Sequence, residues 1–336
     1  MECFFIFVMA WCWLNATESK PRNVSTNSRT TQNETKKQTM SYDLYFYKRK
    51  NSNLTESQIA EYLNNNLTST SESDTQWFVE NEDTETYFSF DQNEPETDEE
   101  SIELFENFTD FDNTHFTFNL NYLRPDFFGQ FAFEFVDKFI KDLDLFVLNP
   151  QSITDPDNPL KPKEKELYEN WSETNSRNSA NFFKEYGLEF YPLEKSNDFY
   201  NYNHNKALLQ EKLGDNYYVP KLYLFKRKSD GQIVTICTWT EHIPNVFPPA
   251  DYFLLTKKYK KLFRTVEEVG LISAETFKNR FGSFLDNFEF KNCKIIQPDK
   301  AEKVKDIFNS TKIEFKLADF AERMQIEKIV NVKPNE

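Results

Sequence analysis

Apolar residues recur with strand and helix periods along residues 42–148, and this pattern predicts a compact α+β region. From 114 to 122 the side chains alternate, so that Phe116, Phe118 and Leu120 share one side of a strand. From 127 to 143 the apolar positions follow the period of an amphipathic helix instead. The predicted strands cover 42–48, 76–80, 85–90, 114–122 and 145–148, and the predicted helices cover 54–67 and 127–143. Thr55, with Gln58 three residues on, is predicted to cap the first of these helices. Residues 91–110 are predicted to form an acidic loop. The order β-α-β-β-β-α-β favours helices on one face of a mainly antiparallel sheet.

The second half of the chain follows a Pro-rich stretch and shows a similar mixture of elements. Its clearest signal is Asp230-Gly231, which predicts a tight hairpin between 221–228 and 232–240. Further predicted strands cover 251–256, 294–297 and 326–332, and predicted helices cover 163–186, 203–213, 273–281 and 299–308. Ser273 is predicted to cap the helix that ends at Phe281. The fold class is therefore predicted as α+β, with mainly antiparallel sheets, helices on one face, and two units. The predicted limits are an acidic domain at 40–150, a Pro-rich linker at 151–162 and a second α+β unit at 163–336.

Residues 1–39 differ from the rest of the chain. Residues 3–14 are apolar, but a bilayer span needs about 20 such residues, so no stable membrane span is expected. Glu2 replaces the positive charge of an ordinary signal peptide, and residues 15–39 have a disordered composition. We interpret residues 1–39 as a disordered extension before a natural start at Met40, which predicts a cytoplasmic protein. The alternative is an atypical signal segment, with export through residues 1–16.

Composition and charge narrow the range of partners. Apolar residues make up 38% of the chain, but 35 Phe, 16 Tyr and 5 Trp supply large side chains for a core. The net charge is −15, and residues 51–123 contain 18 acidic residues and no Lys or Arg. Nucleic acid is not expected as a partner, because phosphate binding requires cationic side chains. A basic protein is the favoured partner.

The densest acidic run extends from Glu94 to Glu106. It lacks the spacing of an EF-hand loop, so no metal site is predicted. A solvated loop between strands is the alternative to a binding surface. The residues expected to contact a basic partner are Glu94, Glu96, Asp98, Glu99, Glu100 and Glu103.

A second set of residues suggests a ligand site in a cleft between the two predicted units. Arg124 lies between a strand and a helix start, where a guanidinium and free amides attract anions. Trp171, Asn175 and Asn178 share one face of a predicted helix, and two Asn in an aromatic stripe mark a functional or strained site. Alternatively, Arg124 pairs with a nearby carboxylate or loop carbonyls, and both Asn are solvated.

Motifs for catalysis are missing from the sequence. The 6 Gly form no phosphate-binding loop, and neither a Gly-x-Ser-x-Gly nor a His-Glu-x-x-His motif occurs. Strand alternation puts Cys237 beside Trp239, which predicts a buried and inert thiol. No catalytic residue and no cofactor is therefore predicted.

Three stretches together resemble a family of uncharacterised bacterial cytosolic proteins, some of which are similar to immunity proteins of toxin systems. They are residues 40–46, residues 118–129, and the hairpin start at 220–223 with Asp251-Tyr252. The resemblance covers most of residues 40–256 and implies a start at Met40, with no established activity or catalytic residues.

The functional hypothesis is a non-enzymatic binding protein, an acidic immunity-like inhibitor of a basic toxin. The alternative is a small-molecule binder or an enzyme of unknown class that uses the predicted cleft.

Overall fold

The computed structural model of the protein describes residues 40–152, 155–261 and 264–335. Contacts between Cα atoms group them into two units. The first unit is Met40–His204 with residues 325–335, and the second unit is Asn205–Met324. The boundary of this grouping lies between His204 and Asn205, inside a helix. The predicted division, in contrast, is at residues 151–162. The predictions for residues 1–39 lie outside the described residues.

The first unit contains a five-stranded sheet in the order β2-β3-β4-β1-β5, and every neighbouring pair is antiparallel. Its strands are β1 (Ser41–Arg49), β2 (Gln76–Asn81), β3 (Thr86–Gln92), β4 (Phe111–Asn121) and β5 (Phe146–Leu148). A parallel pair joins β6 (Glu189–Phe190) to β15 (Ile329–Val330). The helices are α1 (Glu56–Asn66), α2 (Glu99–Phe105), α3 (Phe127–Asp142), α4 (Glu166–Asn181) and α5 (Leu193–Leu213), which continues into the second unit.

Aromatic side chains of α3 form the core of the first unit with one face of this sheet. The ring of Phe139 lies 5.0 Å from Phe46 and 5.1 Å from Phe90, and Phe133 lies 5.5 Å from Phe118. These five rings are at most 2% exposed. Only 38% of the residues are apolar, but the burial of several large aromatic side chains supplies the apolar area that a core needs.

The local signal at the start of α1 is confirmed, whereas the prediction of a continuous loop at 91–110 is wrong. Thr55 accepts a hydrogen bond from the Gln58 N–H, and Gln58 bonds back to the Thr55 N–H, forming a capping box. Within 91–110, α2 forms because the Asp98 carboxylate caps it by accepting the Ser101 N–H.

The second unit is built on a five-stranded sheet in the order β11-β10-β8-β7-β14, in which β10 and β8 are parallel and the other pairs antiparallel. Its strands are β7 (Leu222–Arg227), β8 (Ile233–Thr240), β10 (Tyr252–Lys261), β11 (Arg264–Ser273) and β14 (Ala321–Arg323). A smaller sheet contains β9 (Asn245–Phe247), β12 (Asp286–Asn287) and β13 (Lys294–Ile296). The helices are α6 (Ala274–Phe281), α7 (Pro298–Ser310) and α8 (Leu317–Phe320). The α+β class with mainly antiparallel sheets is therefore confirmed.

In this half of the chain, the elements that depend on a single turn or a single cap were predicted correctly. The hairpin at Asp230-Gly231 is confirmed, with Gly231 at φ 72°, and Ser273 caps α6 as predicted. The strand β11 was not predicted, because its charged residues interrupt the alternation. Glu267 and Glu268 lie opposite Lys258 and Lys257 on β10. The helix predicted at 203–213 begins ten residues earlier, at Leu193, and the strand predicted at 326–332 reduces to β15 after a short 3-10 turn.

No helix among the described residues has both the length and the apolar character needed to cross a membrane.

Gly270 permits a close approach between β11 and the segment that follows α7. A Cβ atom at this position would overlap Ile313 Cγ2 and lie 2.9 Å from the Phe315 carbonyl oxygen. We predict that Gly270→Ala lowers the free energy of unfolding by about 2 kcal/mol, because the crowded atoms include backbone. Urea unfolding followed by circular dichroism measures this change.

Gly282→Ala is the matched control in the same unit. Its added Cβ would meet nothing closer than Lys278 Cγ at 3.8 Å. The free energy of unfolding should then change by less than about 0.5 kcal/mol. Equal losses of stability in both variants would contradict this account of Gly270.

Candidate functional site

All six acidic residues predicted to contact a partner are exposed: Glu94, Glu96, Asp98, Glu99, Glu100 and Glu103. Asp98 caps α2, so part of its role is structural. The carboxylates of the other five have no hydrogen-bond or ion-pair partner within residues 40–152, 155–261 and 264–335. We call residues 94–106 the acidic segment.

Two phenylalanines, one near the end of the acidic segment and one just after it, hold the segment on the sheet. Phe105 at the end of α2 lies 4.7 Å from the Tyr45 ring, and Phe108 lies 5.2 Å from the Tyr47 ring. The Tyr47 hydroxyl donates a hydrogen bond to the Phe105 carbonyl at 2.9 Å. Because side chains alternate along β1, Tyr45 and Tyr47 face away from the side on which Phe46 packs. The acidic segment is thereby attached to the sheet face opposite α3.

His115 supplies a second attachment, which sequence reasoning did not identify. It interrupts the regular pairing of β4 with β1 and has a positive φ of 59°. Its Nδ1 lies 2.8 Å from Glu56 Oε1, and its Nε2 lies 3.5 Å from Glu106 Oε1. The imidazole therefore connects α1 to the end of the acidic segment. The contact with Glu56 spans 59 residues of chain, so no local pattern could indicate it.

α2 also presents two aliphatic side chains to solvent. Ile102 is 39% exposed and Leu104 is 55% exposed, and α2 contains no buried residue. An isolated exposed leucine is ordinary, but here two large apolar side chains lie within a seven-residue helix among exposed carboxylates. The helix thus combines negative charge with apolar surface.

Arg124 is half-buried, and its hydrogen bonds are made within the first unit. Its Nη2 donates to the Tyr87 hydroxyl at 2.9 Å, and Nε donates to the same oxygen at 3.2 Å. Nη1 donates to the carbonyls of Tyr122, Leu123 and Glu327 at 3.2 to 3.4 Å. The guanidinium therefore connects the end of β4 to β3 and to the C-terminal segment, and carbonyl oxygens supply much of its coordination.

Asn175 lies against the backbone of Arg124. Its Oδ1 accepts the Arg124 N–H at 3.2 Å, and its Nδ2 donates to the Arg124 carbonyl at 2.8 Å. One turn earlier, Trp171 is fully buried against Gly129, where an added Cβ would lie 2.5 Å from the indole ring. Asn178 is only half-buried, and its side chain has no hydrogen-bond partner among the described residues. Arg124 and Asn175 are thus in direct contact, whereas Asn178 is not part of this cluster.

Burial governs the ionisation of the two cysteines and of His242. Cys237 and Cys293 are buried free cysteines, and burial raises the pKa of both thiols, that of Cys293 to about 12. Burial lowers the pKa of His242. In the part of the chain that the structure describes, no group of three or more His, Cys, Asp or Glu side chains is arranged to hold a metal ion.

The contact between Asn175 and Arg124 predicts a loss of stability when the amide is removed. Asn175→Ala leaves a backbone N–H and a carbonyl of a buried junction without partners, so the free energy of unfolding should fall by about 1 to 3 kcal/mol. Asn178→Ala removes the same amide from the same helix and should cost less than about 0.5 kcal/mol. Urea unfolding of the two variants measures both values, and equal costs would refute the assigned role of Asn175.

No protein-family model matches the chain, and comparisons with curated proteins and with solved structures also found no match.

Proposed function

We propose that the protein is a binding protein that engages a basic partner protein through the acidic segment. The observation that carries this proposal is α2, a helix without a buried residue that exposes Ile102 and Leu104 beside the exposed carboxylates of Glu99, Glu100 and Glu103. A charged surface with apolar side chains at its centre is suited to a protein partner, because charge directs the encounter and apolar burial contributes affinity.

The charge around α2 supports a cationic partner. Residues 51–123 contain no Lys or Arg, so the negative potential of the acidic segment is not offset by neighbours in sequence. Long-range attraction of this kind raises association rates and weakens as salt is added. A partner whose binding face is rich in Lys or Arg would meet the segment with complementary charge.

The attachment of the segment favours recognition by a preformed surface. Phe105 packs on Tyr45, and His115 contacts Glu106. Ordering the segment before binding reduces the entropy lost on association. The family of uncharacterised bacterial cytosolic proteins that residues 40–256 resemble includes some that are similar to immunity proteins of toxin systems. On that ground we infer that the basic partner is a toxin, which binding would inhibit.

The alternative of a ligand at Arg124, Trp171, Asn175 and Asn178 has less support. The amide of Asn175 is used by the Arg124 backbone, and the Arg124 guanidinium is engaged by Tyr87 and carbonyl oxygens. These contacts are sufficient to explain both residues as structural.

Neutralising the helix tests the proposal. The triple variant Glu99→Gln, Glu100→Gln, Glu103→Gln should reduce affinity for a basic partner captured from native lysate by about tenfold, because each exposed ion pair contributes up to about 1 kcal/mol. Quantitative mass spectrometry of the captured proteins identifies the partner, and titration of the purified pair at low and high salt gives the affinity.

The matched control changes the same number of exposed carboxylates elsewhere in the first unit. Glu169, Glu173 and Glu194 are exposed and have no ion-pair partner in the described residues, so their triple change to Gln should leave the affinity unaltered. Equal affinities for the two triple variants, or an affinity indifferent to salt, would rule out the acidic segment as the binding surface.

A further inference from the structure

His115 lies in a bulge of β4 that fixes the direction of its side chain. Residues 114–116 of β4 lie opposite the single residue Phe46 of β1. The His115 N–H donates to the Asn113 side-chain oxygen at 2.9 Å, and the His115 carbonyl accepts the Asn93 N–H at 2.8 Å. Both backbone groups of His115 are therefore engaged, and its imidazole is held between α1 and the end of the acidic segment.

Each nitrogen of this imidazole faces a carboxylate. Nδ1 lies 2.8 Å from Glu56 Oε1, and the other oxygen of that carboxylate accepts the Gln92 amide at 3.0 Å. Nε2 lies 3.5 Å from Glu106 Oε1, an oxygen that also accepts the Asn113 amide at 2.9 Å. Because ionised carboxylates only accept hydrogen bonds, both ring nitrogens need a proton to make favourable contacts.

Only the protonated imidazole satisfies this arrangement. A neutral imidazole carries one ring proton, so its other nitrogen would direct a lone pair at a carboxylate. Histidine ordinarily exchanges its proton between about pH 5 and 8, whereas glutamate is ordinarily ionised over that range. A rise in pH therefore replaces one attraction at His115 by a repulsion. The His115 side chain is only 17% exposed, so solvent screens these contacts incompletely.

Two further charged side chains lie near Glu56, and neither takes over the role of the imidazole. Lys48 on β1 and Asp112 on β4 line a pocket together with Glu56. The Lys48 ammonium donates to the Leu54 carbonyl at 2.6 Å, and among the described residues it forms no ion pair with Glu56 or Glu106. The side chains that β3 contributes here are neutral amides. Without the charge of the imidazolium, three carboxylates in this region are opposed by one ammonium.

We propose that His115 attaches the acidic segment to the first unit in a pH-dependent way. The imidazolium joins Glu56, at the start of α1, to Glu106, at the end of the segment. Loss of the proton removes this link and leaves the aromatic contacts and the Asn113 amide to hold the segment. The pH-dependent attachment needs no partner. Its effect on affinity rests on the proposed function, because a less ordered segment loses more entropy when it binds.

Proton NMR and hydrogen exchange of the full chain between about pH 5 and 8 test this proposal without a partner. The chain has three histidines, so single variants assign the imidazole signals. Protection factors of the Ile102 and Glu106 amides, corrected for the intrinsic effect of pH on exchange, should fall by about three- to fivefold as His115 loses its proton. Constant protection across the His115 titration would overturn the proposal.

His115→Asn is the matched control, because asparagine tolerates a positive φ and does not titrate. In this variant the two amides should show the same protection at both ends of the pH range. A fall equal to that of the unaltered protein would contradict the role of His115, and so would an equal fall in the amides of α3. Failure to capture a basic partner would contradict the proposed function and leave this result unchanged.

Glu106→Gln tests the second contact of the imidazole. The variant keeps the contact between His115 and Glu56 but removes the carboxylate that faces Nε2. The fall in protection of the Ile102 amide with rising pH should therefore be at least halved. A fall as large as in the unaltered protein would show that Glu106 does not take part, and the proposed link to the acidic segment would be wrong.

Discussion

The packing of α3 against one face of the five-stranded sheet is the interaction on which the first unit depends. Phe133 and Phe139 contact rings from β1, β3 and β4, so one helix joins three strands that are distant in sequence. Truncating such a buried ring costs about 3 to 5 kcal/mol, a large part of the stability of a typical domain. Because this core uses one sheet face, the opposite face is left for other contacts.

The acidic segment uses that opposite face. Tyr45 and Tyr47 of β1 bind Phe105 and Phe108, and the irregular strand position at His115 brings an imidazole between two carboxylates. Repulsion among the exposed carboxylates of α2 opposes an ordered helix, and the contacts of Phe105, Phe108 and His115 oppose that repulsion. The contacts of Phe105 and Phe108 with β1 hold α2 in a position in which Ile102 and Leu104 are exposed. The proposed binding surface therefore depends on the fold of β1.

Local chemistry was predictable from the sequence, and contacts between distant residues were not. The Thr55 capping box, the Asp230-Gly231 hairpin and the Ser273 cap each depend on a few adjacent residues, and all three are confirmed. The amphipathic α3 was predicted from its period. In contrast, the attachment of α2 to the sheet depends on the contact of Phe105 with Tyr45, some 60 residues earlier, and β11 pairs its Glu267 and Glu268 with lysines of β10. At the candidate sites, the exposure of the acidic residues could be predicted, because charged side chains are mostly exposed in folded proteins. The bond between Asn175 and Arg124 required the tertiary structure.

The most direct test of this account is hydrogen–deuterium exchange of residues 94–108 in the full chain, compared with the variant Phe105→Ala, Phe108→Ala. We expect the amides of Ile102 and Glu106, which bond to the Asp98 and Ile102 carbonyls, to be protected in the unaltered protein. The variant should lose this protection while the amides of α3 keep theirs. Exchange at the rate of an unstructured peptide in the unaltered protein would contradict a preformed binding surface.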